Sequence, residues 1–324
     1  MSLNFTSASQ TCAIGLDVGG TKIAAGIVAF PLGQVIHKQI IPTRPERGGE
    51  AVLSDALNLA ETLLAQAQTM GFKVMGIGVG LCELVDPEGN VTSAHTIAWR
   101  GVPVQAAFSK LAPAIVESDA RAPALAEAKF GAGRSYKIFA YITVGTGISY
   151  CLVQDGRPYA GARGNALILA NTPLTTTCPQ CDTVLAPVLE EIASGPALVS
   201  RYNLARQREP GLKAKLQTAT RGEEVLAAVE AGDPAATEVV KSAGEALGVS
   251  VGWLVNMLDP EAVIVGGGLG SAQGLYWDSF VASTRRHIWS DTNRDLPIVP
   301  AALGPDAGFI GAATAIFQKR SEQY

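Results

Sequence analysis

The feature that most constrains this fold is a pattern of strand, glycine-rich turn and strand that occurs twice in the chain. Residues 13–28 form the first copy, with the sequence GGTK at 19–22, and residues 138–154 form the second, with GTG at 145–147. A glycine turn between two strands lets another molecule approach the backbone closely, because glycine has no side chain. The repeat predicts an α/β protein with two similar halves and a cleft between them.

A third glycine run, GGG at 266–268, directly follows the apolar strand 262–265. The backbone N–H groups of such turns suit a phosphate chain, and Thr21 and Lys22 add a hydroxyl and a cation to the first turn. The first turn is neither a Walker A loop nor a dinucleotide fingerprint, because a strand and not a helix follows it. Taken alone it could equally be a structural hairpin with a solvent-facing Lys22. Together, the three loops are expected to converge on one nucleotide.

Between these turns, the spacing of apolar residues predicts alternating strands and helices. Buried strands are expected at 74–80 and 114–117. Helices are expected at 50–70, 123–130, 186–193, 222–231, 233–256 and 308–317. This alternation is typical of an α/β fold.

Composition excludes several classes of protein. Apolar residues make up 48% of the 324 residues and charged residues 17%, which suits a chain that buries a full core. The net charge of −4 provides no basic surface for nucleic acid, and no run of ~18 apolar residues predicts a membrane helix. The five cysteines are irregularly spaced, so no disulfide framework is expected. We therefore expect a soluble, cytoplasmic protein with neither nucleic-acid nor membrane partners.

Five sequence motifs resemble those of the ROK sugar kinases, which belong to the actin-like ATPase superfamily. The motifs are DVGGTK at 17–22, DARAPALAE at 119–127, GTGI at 145–148, GGGL at 266–269 and GFIGAA at 308–313. The resemblance implies two actin-like ATPase (ribonuclease H-like) domains that flank a nucleotide cleft. The smaller would comprise 1–121 plus 304–324 and the larger 122–303. ROK repressors carry a DNA-binding helix-turn-helix ahead of the first motif, where this sequence has a short polar segment, so we expect an enzyme.

The same resemblance implies a role for each matching residue. Asp17 would face a hydrated Mg²⁺, and Asp119 would be the general base that takes the proton of the acceptor hydroxyl. An Asp at this boundary could instead cap the helix that follows. The residues implied to bind ATP are Gly19, Gly20, Thr21 and Lys22 in the first phosphate loop, Thr143, Gly145, Thr146 and Gly147 in the second, and Gly266, Gly267 and Gly268 beside the adenosine.

The acceptor-binding residues depart from the family pattern. Ser118 and Thr96 stand where the family has Asn, and Ile168 stands where it has Glu. The family His is Asn171 here, whereas the downstream Glu is retained as Glu190, for which the alternative is an exposed helix carboxylate. A site built for hexose hydroxyls would leave hydrogen bonds unmade, and each unpaired buried polar group costs about 1–3 kcal/mol. We therefore expect an acceptor other than plain glucose, such as a cyclitol, a deoxy sugar or an amino sugar.

Two further departures concern zinc and the second phosphate turn. The family zinc site uses the His that is Asn171 here plus three cysteines, of which Cys178 and Cys181 remain. Two thiolates are half of the four ligands that a structural zinc needs, so bound zinc is not expected. Tyr150 stands where the family continues with glycine. It would impair nucleotide binding if it faced the phosphates and would change nothing if it lay in the core.

These observations predict a kinase that uses ATP and Mg²⁺ to phosphorylate a hydroxyl, by expectation a primary one, on a sugar or sugar-like polyol. The rival hypothesis is a catalytically degenerate family member that binds a ligand as a sensor or scaffold. By analogy with the family we also expect a homodimer.

Overall fold

The computed structural model describes residues 11–173, 175–208 and 218–322, which form two compact units. Unit 1 contains the described residues up to Ser135, the segment Gly156–Ala166 and the described residues from Pro305 onward. Unit 2 contains Tyr136–Asp155 and the described residues between Leu167 and Gly304. No helix within these ranges is long and apolar enough to cross a membrane.

Unit 1 is built around a five-stranded sheet. Its elements are β1 (Thr11–Val18), β2 (Lys22–Phe30), β3 (Gln34–Pro42), α1 (Gly49–Thr69), β4 (Lys73–Leu81), α2 (Val104–Ser109), β5 (Ala114–Ser118), α3 (Arg121–Phe130), β8 (Arg157–Pro158) and α9 (Ala307–Ser321). The strand order is β3-β2-β1-β4-β5, with β2 antiparallel to β1 and β3, and with β4 parallel to both β1 and β5. The carboxyl ends of β1, β4 and β5 therefore meet at one edge of the sheet.

Helix α9 lies directly on the backbone of this sheet. A Cβ atom added to Gly15 on β1 would come within 1.9 Å of the Phe309 carbonyl oxygen, and one added to Gly78 on β4 within 1.8 Å of the Ala312 oxygen. Both strand positions must therefore lack a side chain. Helix α3 also packs on α9, which places it in unit 1, whereas the sequence assigned its residues from 122 onward to the larger domain.

Unit 2 repeats the strand order of unit 1. Its elements are β6 (Ile138–Val144), β7 (Ile148–Gln154), β9 (Thr176–Thr177), β10 (Val184–Leu185), α4 (Glu190–Ala193), α5 (Gly195–Arg208), α6 (Gly222–Glu230), α7 (Pro234–Leu258), β11 (Ala262–Gly266), α8 (Leu275–His287) and β12 (Ile298–Pro300). The four strands that unit 2 contributes to its main sheet are ordered β12-β11-β6-β7. Strand β7 runs antiparallel to β6, while β11 runs parallel to β6 and β12. The predicted pair of similar α/β halves is confirmed.

The long helix α7 organises the core of unit 2. The side chain of Asp233 caps its first turn by accepting hydrogen bonds from the N–H groups of Ala235 and Ala236, and Pro234 occupies the first helical position. Glycines on α7 let α8 approach closely, since a Cβ on Gly244 would lie 2.5 Å from the Tyr276 carbonyl oxygen. One face of α7 is buried along most of the helix, whereas Trp253 and Met257 near its end are exposed.

One predicted helix is largely wrong. The sequence predicts a helix at 186–193, but only Glu190–Ala193 is helical, because Val184 and Leu185 form a short strand and Pro187 follows them. Proline disfavours helical geometry in the residue before it and donates no backbone hydrogen bond. The other predicted helices and strands are present with boundaries shifted by a few residues. The elements that were not predicted are β3, α2, β8, β9, β10, α5, α8 and β12.

Candidate functional site

Three acidic residues meet at the carboxyl edge of the unit 1 sheet. Asp17 lies one residue before the end of β1, Glu83 follows β4 by two residues, and Asp119 directly follows β5. The register aligns these strand ends, since Val18 pairs with Leu81 and Leu81 pairs with the last residue of β5. Open α/β sheets bind ligands outside the carboxyl ends of their strands. The sequence identified Asp17 and Asp119 but not Glu83.

The first glycine turn joins β1 to β2 beside these carboxylates. Its backbone is closed by a hydrogen bond from the Gly19 N–H to the Lys22 carbonyl oxygen at 3.0 Å, and the buried Thr43 hydroxyl donates to the Gly19 oxygen at 2.6 Å. The side chains of Thr21 and Lys22 are exposed. These hydrogen bonds fix the backbone of the turn, and the Thr21 hydroxyl and Lys22 ammonium groups are accessible to a ligand.

Burial and neighbouring charges perturb the pKa values of Asp17 and Asp119. Burial raises the pKa of Asp17 to about 6, and Lys22 opposes that shift. Burial also raises the pKa of Asp119 to about 7, reinforced by the negative charges of Asp17 and Glu83. Strongly perturbed carboxylates that lie together are characteristic of functional sites. A carboxyl group with a pKa near neutrality can exchange a proton with a substrate at physiological pH.

The alternative that Asp119 serves as a helix N-cap gains no support. Helix α3 begins at Arg121 with Ala120 in the capping position, and no side chain caps it in the usual way. The Ser118 hydroxyl, not Asp119, accepts a hydrogen bond from the Arg121 N–H at 3.3 Å. Asp119 donates its own backbone N–H to the Leu81 oxygen at 2.7 Å, which fixes it to the end of β4.

The second glycine turn joins β6 to β7 in unit 2. The Gly145 N–H donates to the Gly147 oxygen at 2.9 Å, and the Gly145 oxygen accepts from the Gly195 N–H at 2.8 Å. Nothing lies within 4 Å of a Cβ added to Gly145, so one face of the turn is open. Thr146 at its tip is exposed.

The third glycine run packs against the end of β6, so unit 2 brings two of the three predicted glycine loops together. The N–H groups of Leu269 and Gly270 both donate to the Val144 carbonyl oxygen, at 3.1 and 3.0 Å. Gly267 has a φ of +84°, and a Cβ there would lie 2.3 Å from the same oxygen. Only glycine fits this position without strain. Gly266 is equally enclosed by the Tyr141 hydroxyl, whereas a Cβ on Gly268 would meet no atom within 4 Å.

A buried hydroxyl lies just before the second turn. Thr143 is the penultimate residue of β6, and its Oγ1 atom is buried without a hydrogen-bond partner among the residues that the structure describes. Buried polar atoms are nearly always paired, and an exception calls for an explanation such as a ligand. This is compatible with the part in ATP binding predicted for Thr143.

The retained Glu190 is bound to other parts of unit 2. Its two carboxylate oxygens accept hydrogen bonds from the Ile148 N–H at 2.8 Å and from the Asn171 side-chain amide at 3.0 Å. Glu190 thereby links the second glycine turn to the segment that contains Asn171. It is half-buried, so the alternative of a fully exposed helix carboxylate does not hold.

The segment around Asn171 also carries the most divergent acceptor residue. Ile168 is 41% exposed although it is apolar, and its carbonyl oxygen accepts a hydrogen bond from the Thr172 hydroxyl at 3.0 Å. Leu167 before it has a positive φ of 62°, which is uncommon for a residue with a side chain. An exposed apolar side chain therefore stands at the position where the family has a carboxylate.

Tyr150 lies in the core of unit 2 and not beside the glycine turn. It is 4% exposed, and its hydroxyl forms a 2.9 Å hydrogen bond with the Ser250 hydroxyl on α7. Strand alternation places the adjacent Ser149 on the opposite face of β7. The departure from glycine at this position therefore does not obstruct the turn.

Cys178 and Cys181 lie in the hairpin between β9 and β10. The Cys178 N–H donates to the Thr183 oxygen at 2.9 Å, and the exposed Cys181 thiol donates to the Thr183 hydroxyl at 3.2 Å. Hydrogen bonds from Thr183 and Cys178 lower the pKa of the Cys181 thiol. In the part of the chain that the structure describes, no group of three or more His, Cys, Asp and Glu side chains is arranged to hold a metal ion.

The chain is similar to known proteins over nearly its whole length. The family model described as "ROK family" matches residues 13–319. A glucokinase of Streptomyces coelicolor is 30% identical over 314 residues, which is 93% of this chain and 96% of that protein. A ROK family glucokinase from Streptomyces griseus, solved with glucose and AMPPNP, superimposes with a TM-score of 0.80 at 29% identity and covers 95% of this chain and 99% of its own. A ROK hexokinase from Thermus thermophilus gives a TM-score of 0.76 at 30% identity over 96% of this chain and all of its own.

Proposed function

The chain belongs to the ROK family, and from that premise we propose that it transfers the γ-phosphoryl group of ATP to a hydroxyl of a sugar or sugar-like polyol. The predicted family and actin-like ATPase fold class are confirmed, and the relatives support a carbohydrate kinase. The observation that carries the proposal is the meeting of Asp17 and Asp119 at the carboxyl edge of unit 1, beside the first glycine turn. A proton acceptor and a phosphate-binding turn are what this transfer requires.

Asp119 is the proposed base. Its carboxylate would orient the acceptor hydroxyl and take its proton as the oxygen bonds to the γ-phosphorus and the bond from that phosphorus to the β-phosphate oxygen breaks. With a pKa of about 7, Asp119 is a stronger base than an ordinary aspartate, and roughly half of it is ionised at neutral pH. In unit 1, the N–H groups of the first glycine turn, with Thr21 and Lys22, would bind phosphate oxygens, and in unit 2 the second turn and Thr146 offer donors of the same kind.

The residues present also fit a magnesium ion. Asp17 supplies carboxylate oxygens, which are the ligands Mg²⁺ prefers, and Mg²⁺ sites commonly use one or two carboxylates together with substrate phosphates and water. A nearby cation would keep Asp17 ionised against the burial that raises its pKa to about 6. When bound, Mg²⁺ neutralises the charge of the phosphate oxygens.

The acceptor is proposed to differ from plain glucose, because Ile168 stands where the family has a carboxylate. An exposed isoleucine offers no hydrogen bond to a hydroxyl, and Glu190 already accepts two hydrogen bonds from within the chain. A deoxy sugar, an amino sugar with an apolar substituent or a cyclitol would lose less there than a hexose. The primary hydroxyl as phosphorylation site, the homodimer and the cytoplasmic location stay predictions.

An acceptor screen tests the proposal. ATP consumption is measured with glucose, amino sugars, deoxy sugars and cyclitols, using the wild type, Asp119→Asn and the exposed control Asp278→Asn. We expect turnover with one acceptor class, lost in Asp119→Asn and kept in the control. Turnover that survives Asp119→Asn would remove this residue as the base.

A second candidate function is a family member that binds ATP without transferring phosphate. It is favoured because both carboxylate oxygens of Glu190 already accept hydrogen bonds from within the chain. Such a protein would act as a sensor or scaffold. MgATP binding by calorimetry, with no turnover on any acceptor of the panel, would support this candidate over the kinase.

A further inference from the structure

Glu83 is a buried charged residue. It follows β4 by two residues, stands between Cys82 and Leu84, and is 3% exposed. A buried carboxylate without partners would be costly, and its pKa would rise until it became neutral. The pKa of Glu83 is instead lowered, because hydrogen bonds outweigh the effect of burial. Glu83 is therefore a buried carboxylate that stays ionised because its hydrogen bonds stabilise the charge.

All the hydrogen bonds to this carboxylate come from one segment, residues 93–97, which we name the β4–α2 loop. One oxygen accepts from the N–H groups of Thr96 at 2.6 Å and Ile97 at 2.7 Å. The other accepts from the His95 N–H at 2.9 Å and from the Ser93 hydroxyl. A carboxylate has about four acceptor positions, so the loop uses its full capacity.

In the middle of the loop, the backbone faces Glu83 and the side chains of His95 and Thr96 face outward. While three successive N–H groups point at Glu83, the side chains of His95 and Thr96 are exposed. Beyond it, the buried Trp99 donates its indole N–H to the Gly49 oxygen at 2.7 Å, which anchors the chain after the loop. These hydrogen bonds fix the backbone that carries the exposed side chains of His95 and Thr96.

Those side chains lie beside the first glycine turn. The Thr96 methyl carbon lies 2.6 Å from the place that a Cβ on Gly20 would occupy. The charge of Glu83 also acts on Asp119, so the loop, the turn and the proposed base share one neighbourhood in unit 1. A displaced loop would change the side chains that an acceptor meets beside Gly20.

We propose that Glu83 is a positioning residue for the acceptor, whose carboxylate holds the β4–α2 loop so that Thr96 and His95 face the bound sugar or polyol beside Gly20. This inference rests on the proposed kinase function. It assigns Glu83 to acceptor affinity and not to the transfer step or to nucleotide binding.

Two substitutions test the assignment by steady-state kinetics. Glu83→Gln keeps the shape but removes the charge and points an amide donor at backbone donors, so we expect the acceptor KM to rise ~10–100-fold because several charge-assisted hydrogen bonds are lost. The KM for ATP should stay within ~2-fold and kcat should fall less than ~5-fold. Glu83→Asp keeps the charge on a shorter side chain and should recover part of the acceptor affinity. Glu88→Gln, on an exposed side chain of the same connection, is the matched control and should leave all constants unchanged.

Hydrogen exchange gives a readout that needs no turnover. In the wild type the amides of His95, Thr96 and Ile97 should be protected, and in Glu83→Gln their protection should fall at least ~10-fold while the amides of β1 and β4 keep theirs. An unchanged acceptor KM in a folded Glu83→Gln protein overturns the inference, as does equal loss of acceptor and ATP affinity. If the wild type phosphorylates no acceptor, the kinase proposal fails on its own, and retained protection of the three amides in Glu83→Gln separately overturns the role of Glu83.

Discussion

The two units share a strand order but use their acidic residues in opposite ways. In unit 1, Asp17, Glu83 and Asp119 meet at the ends of parallel strands. Burial, reinforced by the charges of Asp17 and Glu83, raises the pKa of Asp119 to about 7. In unit 2, Glu190 stands next to the corresponding glycine turn and is tied to Ile148 and Asn171. One architecture thus places two carboxyl groups with raised pKa values, Asp17 and Asp119, in one copy and, in the other, a carboxylate that links two segments by hydrogen bonds. Fold repetition does not repeat function; the residues at the strand ends determine it.

The largest expected effect tests this contrast directly. Asp119→Asn removes the proposed base and should lower kcat by ~10²–10⁴-fold, the usual contribution of general base catalysis. Glu190→Gln should lower kcat by no more than ~10-fold, because the amide can keep one of the two hydrogen bonds. Both are measured by ATP consumption with the acceptor found in the screen. Equal losses would show that the two carboxylates do not differ in role.

The next effect concerns the glycine loops of unit 2. Gly267→Ala places a Cβ 2.3 Å from the Val144 oxygen at a positive φ, so we expect the free energy of unfolding to fall by about 1–3 kcal/mol from backbone strain. Gly268→Ala, whose added Cβ meets no atom within 4 Å, is the matched control. Urea denaturation measures both. A Gly267→Ala protein as stable as its control would mean that the loop adjusts freely.

A pH-dependent stability difference should follow for Asp119. Its pKa is about 7 in the folded chain and near 3.8 when unfolded, so the folded state binds the proton more tightly between these values. Stability therefore falls as pH rises through this window, and the cost is complete above pH 7. Asp119→Asn lacks this cost and should be more stable than wild type at pH 8, by on the order of 1–3 kcal/mol, with the gain shrinking toward pH 5. Thermal unfolding at both pH values measures it; a gain independent of pH would contradict the proposed cause.

The smallest effect is expected in the hairpin that holds Cys178 and Cys181. Because these two cysteines lack the further ligands of a zinc site among the described residues, replacing both with serine should leave kcat, KM and metal content unchanged. Metal analysis of the purified wild type should find less than ~0.2 zinc per chain, since two thiolates bind zinc weakly. Stoichiometric zinc that is lost in the double variant would restore a metal role to unit 2.

Sequence alone predicted the fold because its strongest signals are local. Apolar runs that end in glycine identified β1, β6 and β11, and the motif at 119–127 identified the end of β5. Helices such as α5 and α8 were not predicted, since neither is marked by a clear apolar run in the sequence. The helix predicted at 186–193 was wrong because Pro187 and the β10 pairing override its apolar spacing.

The site was only partly predictable, for a different reason. Glu83 carries no motif, and its importance depends on hydrogen bonds to residues 10 to 14 positions later, which no spacing rule reveals. A lone acidic residue in an apolar run after a strand was the one available signal. The hydrogen bond that Glu190 accepts from the Asn171 amide was likewise not predicted, because Asn171 was interpreted only as a replacement of the family histidine.

The contact between α9 and the backbone of β1 and β4 has a consequence for biosynthesis. The sheet of unit 1 is assembled from the first 118 residues, yet the helix that covers Gly15 and Gly78 begins only at Ala307. During translation, the face of this sheet that α9 covers stays exposed until all of unit 2 has been synthesised. Nascent chains stalled before residue 307 should thus be the ones that engage chaperones and proteases.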